Sequence, residues 1–360
     1  MNTEINKVVL HLSLIPGVGP GCVEKIVTGI KPSELCCLYD WESVDFCERG
    51  VSKELAKILV EGLSHTLFLD EELTLLEKKN IFFVTLFDDA YPELLRTIHL
   101  PPLVLYYQGL PVWQRRDTIA FVGSRKANVY GKQAVDLLVP DIVQAGWVTV
   151  SGGAYGIDAA VHQATVESGG ATVAVLGSGL LKPYPVDHKK LFAKIIDTGG
   201  AVVSSFPLET APFPGNFPAR NRIISGMSKG TVVVQAAQKS GALITARYAL
   251  EQGRSVFAVP GPIGDPLSKG CHDLLHHGAR IVTDASDILD EYGISINRQT
   301  TLLPLDEVGM LILTHVNEPK TVDELIEMTS LSENALTHYL FELQLNGYIE
   351  QNFAGLWQRA

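Results

Sequence analysis

The chain has 360 residues, 46% of them hydrophobic and 19% charged, and a formal net charge of −11. That length suits two or three domains, and the composition excludes a disordered or fibrous chain. Cys22, Cys36, Cys37, Cys47 and Cys271 contain no C-x-x-C pair, which argues against a disulfide framework or a structural zinc site.

The first twelve residues lack the apolar core of a secretion signal, and no run approaches the ~20 apolar residues of a transmembrane helix. A reduced, cytoplasmic protein without a membrane span, metal or cofactor is expected. The acidity is uneven. Residues 115–254 carry a net charge of +6 and the remainder −17, so an anionic ligand held by the middle of the chain is expected.

Residues 1–69 read as short helices. Leu14-Ile15-Pro16-Gly17-Val18-Gly19-Pro20 ahead of an apolar helical stretch has the form of a helix-hairpin-helix turn, where glycines let backbone N–H groups approach a phosphate. The segment nets −3, so a plain turn between packed helices explains it equally well, and any DNA contact there is accessory. Prolines on either side of short apolar runs between residues 88 and 106 predict a turn and then a strand.

From residue 118 the pattern alternates. Apolar, β-branched runs at 118–122, 147–151, 172–176, 201–204, 231–235 and 255–259 predict strands, with helices such as 132–144 and 159–168 between them. Continuous apolar strands separated by helices predict a doubly wound parallel sheet ending near Tyr292. Residues 297–301 read as a linker.

The last segment, 302–360, predicts three helices (306–314, 321–329, 332–346) and a hairpin of 348–351 with 355–358, a winged-helix pattern. Thr321 and Ser332 are expected at N-caps, Thr321 with Glu324 as a capping box. The third helix holds no Arg or Lys, and the module has two basic and nine acidic residues. A protein contact suits it better than the DNA major groove.

Ligands of open α/β sheets bind beyond the carboxyl ends of the strands. Four loops there carry candidates. Gly123-Ser124-Arg125-Lys126 offers a close backbone approach and a phosphate fork. Gly152-Gly153-Ala154-Tyr155-Gly156 leads into a helix as an anion cradle, with Asp158 expected as a helix-start cap. Phe217, Arg220, Asn221 and Arg222 pair a base face with phosphate donors, and Lys239-Ser240-Gly241 opens a further helix. Singly these loops are ordinary; together they predict a phosphate-backbone groove.

At these residues the chain resembles the DprA (DNA-processing, Smf) family. The resemblance rests on Val122-Gly123-Ser124-Arg125, Ser151-Gly152-Gly153 with Gly156-Ile157-Asp158-Ala159-Ala160-Val161-His162, and Phe217-Pro218-Ala219-Arg220-Asn221-Arg222-Ile223-Ile224. Ser240-Gly241-Ala242-Leu243-Ile244-Thr245 and Val256-Phe257-Ala258-Val259-Pro260-Gly261 extend it. The resemblance implies a Rossmann-like domain over 70–292, a helix-hairpin-helix (SAM-like) domain before it and a winged helix after it. It further implies a protein that is not an enzyme, binds incoming single-stranded DNA in natural transformation and loads the RecA recombinase. By motif position it places the strand against Ser124, Arg125, Lys126, Gly152, Gly153, Tyr155, Phe217, Arg220, Asn221, Arg222, Lys239, Ser240 and Gly241, and a homodimer contact around Leu274, Leu275 and Ala279. Tyr155 stands where many members carry Arg, and Gln235 where Glu is frequent.

Two other classes compete. A nucleotide-binding or nucleotide-hydrolysing Rossmann-like enzyme would resemble the phosphoribohydrolases in a Pro-Gly-Gly-x-Gly-Thr-x-x-Glu run, but residues 235–241 lack that acid, and the G-x-G-x-x-G spacing is absent after Val122. A duplex-binding regulator conflicts with the acidic last module. His162 reads as a helix-packing residue, and His272, His276 and His277 beside Cys271 lack the carboxylate or second thiol of a convincing metal site.

Overall fold

Apolar strands with no polar alternation must be covered on both faces, and the computed structural model arranges them so. It describes residues 4–294, 305–345, 347–352 and 355–359, which fall into two compact units, 1–295 and 296–360. The linker expected at 297–301, the start of the last module at 302–304, and Asn346 lie outside the described residues.

The first unit opens with α1 (Glu4–Leu14), α2 (Pro20–Val27), a 3₁₀ turn (Pro32–Asp40), α3 (Ser43–Glu48), α4 (Lys53–Ser64) and α5 (Leu67–Lys79). The turn between α1 and α2 is the predicted one; Gly17 has φ +82°, the left-handed region. These helices share a core with the sheet. Leu10, Leu12, Phe46 and Leu59 cluster with Phe83, Val104 and Tyr106. Buried Asn6 donates to Asp88 and accepts from Thr85, tying α1 to the sheet's first strand.

The sheet has nine strands. In chain order they are β1 (Phe82–Thr85), β2 (Val104–Gly109), β3 (Thr118–Val122), β4 (Val148–Ser151), β5 (Thr172–Leu176), β6 (Ala201–Ser204), β7 (Gly230–Val233), β8 (Ser255–Ala258) and β9 (Arg280–Ile281). Their spatial order is β1-β2-β6-β5-β4-β3-β7-β8-β9. From β6 across to β9 all neighbours are parallel, whereas β1 and β2 add an antiparallel edge. Short β1 and β9 are additions to the predicted strands.

Between the strands lie α6 (Glu93–Arg96), α7 (Val129–Gln144), α8 (Ile157–Glu167), α9 (Lys189–Asp197), α10 (Asn216–Gly226), α11 (Gly241–Glu251) and α12 (Lys269–His276), and α13 (Ser286–Leu289) follows β9. The chain winds outward from β3 to β6, then returns to the other side of β3 with β7. That reversal is the topological switch point, where a crevice opens between the loops after β3 and β7.

The second unit has α14 (Glu307–His315), α15 (Val322–Thr329), α16 (Glu333–Leu345) and the hairpin β10 (Ile349–Gln351) with β11 (Trp357–Arg359). Thr321 and Glu324 form the expected capping box, and Ser332 Oγ accepts from Ala335 N–H at 3.4 Å. Ile312, Leu325, Leu336 and Leu340 make its core. No described helix in the chain is long and apolar enough to cross a membrane.

Candidate nucleic-acid interface

A cleft of about 440 Å³ sits at the switch point. Of the predicted residues it gathers Ser124, Arg125, Lys126, Phe217, Arg220, Asn221, Ser240 and Gly241. The loop after β3 is fixed at both ends: Ser124 N–H donates to Gln235 O at 2.7 Å and its carbonyl accepts from Ile157 N–H at 3.1 Å, and Asn128 N–H donates to Gln235 Oε1 at 3.3 Å. Ser124 Oγ accepts from Lys126 N–H. Arg125 and Lys126 are left exposed, and among the described residues neither forms an ion pair. The Arg125 guanidinium lies over the Phe217 ring, 5.4 Å from its centroid, a cation–π contact that orients it.

The floor is built from buried polar groups. Arg220 is 4% exposed and gives its Nη1 to Gly152 O and Val175 O, plugging the ends of β4 and β5. Its guanidinium also sits over Phe217 at 5.8 Å. Burial lowers its pKa to about 10, with Asp158 opposing the shift. Asp158 is the expected cap in a different role. The N-cap of α8 is Gly156, and Asp158, the second residue of the helix, accepts from Ala154 N–H at 3.4 Å. Burial raises its pKa against the pull of Arg220 and of neighbouring donors. It is the one carboxylate among the described residues lining the cleft.

α10 and α11 meet across the cleft. Asn221 accepts from Arg220 Nε and donates to Gly241 O at 3.3 Å. Ser240 caps α11, accepting from Ala242 N–H, and a Cβ on Gly241 would meet nothing within 4 Å. That position is open to a ligand.

Other predicted residues fall elsewhere. Arg222 gives its Nη2 to His99 O and Leu100 O and lines a separate pocket near Pro102. Gly152 and Gly153 serve packing more than an anion cradle: a Cβ would lie 2.5 Å from Arg220 Nη1 at the first and 2.8 Å from Phe192 at the second. Ala154 N–H, the loop's near donor, is already taken by Asp158. Tyr155 donates to Asp187 at 2.7 Å and stands edge-on to His188. Lys239 is exposed beyond the cleft rim. Gln235 is 1% exposed, accepting from Asn128 N–H and donating to Asn128 Oδ1; it holds the start of α7 and does not face a ligand. Leu274, Leu275 and Ala279 are half-buried against the main core.

His162 is buried in α8 with Nδ1 2.8 Å from Thr172 Oγ1, as a packing histidine should be. No described group of three His, Cys, Asp or Glu is placed to hold a metal.

A family model for DNA recombination-mediator protein A matches residues 82–293. The chain belongs to that family. Protein Smf of Escherichia coli (strain K12) is 39% identical over 297 residues, 78% of each chain. DNA processing protein DprA of Bacillus subtilis (strain 168) is 41% identical over 62% of this chain and 75% of its own. The X-ray structure of DprA from Streptococcus pneumoniae superposes with a TM-score of 0.70 at 32% identity, covering 81% of this chain and 99% of that one. DNA processing protein A from Helicobacter pylori, solved for insight into its single-stranded DNA binding mode, gives 0.52 at 27% identity over 58% and 95%. The described cleft lies wholly within the stretch matched by the family model.

Proposed function

We propose that this DNA-processing family member binds single-stranded DNA by its backbone in the switch-point cleft, protects it and loads RecA onto it during transformation. The observation that carries the reading is the pair Arg125 and Lys126: two exposed cations without carboxylate partners, on a loop fixed from both sides, at the mouth of the cleft. Exposed cations that no carboxylate neutralises leave a positive potential at the crevice, which attracts an anionic ligand.

The single-stranded DNA binding named for the H. pylori relative supports the choice of ligand. The cleft's chemistry supports binding over turnover. Asp158 is engaged by Ala154 and faces Arg220, Ser240 Oγ is a cap, and no His or Cys lines the wall. Phe217 serves as the shelf for Arg125 in this reading. A homodimer through the α12 region would set two clefts side by side, and the acidic second unit would meet a protein partner.

The test is anisotropy binding of labelled oligo-dT against a duplex of equal length over a salt series. The expected result is preference for the single strand, with a log–log salt slope near −0.7 per phosphate neutralised. Arg125→Ala with Lys126→Ala should flatten that slope. An unchanged slope, or turnover of added nucleotides without DNA binding, would overturn the reading.

A further inference from the structure

Phe217 leaves a question of where the bases go. Its ring already carries the guanidinium groups of Arg125 and Arg220, and the Tyr184 ring lies 5.7 Å away, tilted by 60°. A base would stack there only by displacing Arg125.

The loop from β5 to α9 is next to this ring and has no assigned role. It is braced on every side. Gly179 and Leu181 donate to Thr210 O and Leu208 O, and Ser178 Oγ donates to Lys182 O. His188 Nδ1 bonds Gly153 O at 2.8 Å, and Tyr155 OH donates to Asp187. A loop held this firmly nonetheless leaves Tyr184 38% exposed. Phe213, on the partner segment that leads into α10, is 65% exposed, and its carbonyl accepts from Asn216 N–H one residue before Phe217. Lys182, Lys189 and Lys190 are exposed on the same loop or at its end.

Single exposed rings are ordinary on a protein surface; these two are set apart by their place, Tyr184 against the Phe217 ring and Phe213 four residues before it in the chain. Aromatic faces with lysines on the same loop, next to the proposed phosphate cleft, suit unpaired nucleobases: rings stack on bases of any sequence while cations follow the backbone. We propose that Tyr184 and Phe213 form a base-stacking subsite, with Lys182, Lys189 and Lys190 neutralising the phosphates between stacked bases. The strand then runs from the cleft across the carboxyl ends of β4, β5 and β6. This rests on the cleft reading and adds a second, aromatic half to the site.

The test compares the full-length parent with Tyr184→Ala/Phe213→Ala, using oligo-dT and an abasic oligomer of equal length as probes. The parent should favour oligo-dT. The double variant should lose about tenfold or more on oligo-dT, tenfold being the effect of one stacked base, while its affinity for the abasic strand and its salt slope stay unchanged. Both side chains are exposed, so an unaltered melting curve certifies the fold. If the parent binds DNA through Arg125 and Lys126 yet the variant matches it on oligo-dT, the subsite is overturned and the cleft stands. Equal parent affinity for the two probes overturns it as well. A parent that binds neither probe removes the cleft reading and the subsite together.

Discussion

His162 should make this fold sensitive to mild acid, and the size of the effect can be worked from its surroundings. Thr149 Oγ1 and Thr172 Oγ1 are 2.7 Å apart, and Thr172 Oγ1 donates to Thr149 O. Thr172 Oγ1 therefore accepts from His162, which fixes the proton on Nδ1. Nε2 is left buried without a partner. Protonating it would place a cation in the core beside His188 and Arg220, and burial lowers the pKa from an ordinary 6.5 to about 3. The folded-state pKa lies below the unfolded one, so the unfolded chain takes up this proton first. Stability is then intact above about pH 6.5 and falls by about 1.4 kcal/mol per pH unit between there and about pH 3. At pH 5 the loss is about 2 kcal/mol. His162→Gln keeps a donor for Thr172 and cannot titrate. Urea unfolding of both proteins at pH 7.5 and pH 5 isolates the effect, because the other titrating groups, buried His11 among them, are common to the two. The parent should lose about 2 kcal/mol more than the variant on acidification. Parallel losses would refute the account of a neutral, one-sided His162.

Other substitutions probe the frame of the cleft. Gln235→Glu sets a carboxylate oxygen against Asn128 Oδ1 where an amide now donates, and should lower the urea midpoint by the equivalent of about 1–3 kcal/mol; a midpoint equal to the parent's would deny Gln235 its clamping role. Gly156→Ala puts a methyl into the Ser124 backbone at φ +80°, where nothing can yield, so a loss of at least about 2 kcal/mol is expected in thermal melts. Wild-type melting would mean the two loops are not locked. On the proposed homodimer through the α12 region, Ala279→Asp, at a half-buried position after α12, should give a monomer by light scattering where the parent gives a dimer, with circular dichroism unchanged. Retention of the dimer would move the contact elsewhere.

The strands were legible because parallel strands bury both faces, and runs such as Thr118–Val122 and Thr172–Leu176 carry that signature undiluted. β9 has only two residues, both exposed, too little chain for a periodicity; β1 is as long as β4 or β6 but lies at the sheet edge with its first residue exposed. The strand-end loops were legible as motifs, but the roles of the residues within them were not. Arg220 and Asp158 stand 62 residues apart in sequence, and only the fold reveals that they share a buried floor. Read locally, an arginine is an exposed donor and an early-helix aspartate a cap. Tyr184 was missed for a related reason: one tyrosine in a loop has no spacing to betray it, and its meaning comes from the ring of Phe217 beside it.

The glycines show how the same residue serves two ends of one site. At Gly123 a Cβ would come 2.5 Å from Ile157, and at Gly152 as close to Arg220; these glycines let neighbouring loops and the buried arginine close up. At Gly241 a Cβ would meet nothing. The first kind lets the floor close around Arg220, and Arg220 in turn lies over Phe217, which carries Arg125. A chain of packed contacts thus runs from the strand ends to the exposed cation. Its consequence is energetic: loops that are already ordered add little conformational cost on binding, so more of the electrostatic attraction survives as affinity. On the proposed function, a flexible basic patch of the same charge would bind a single strand more weakly.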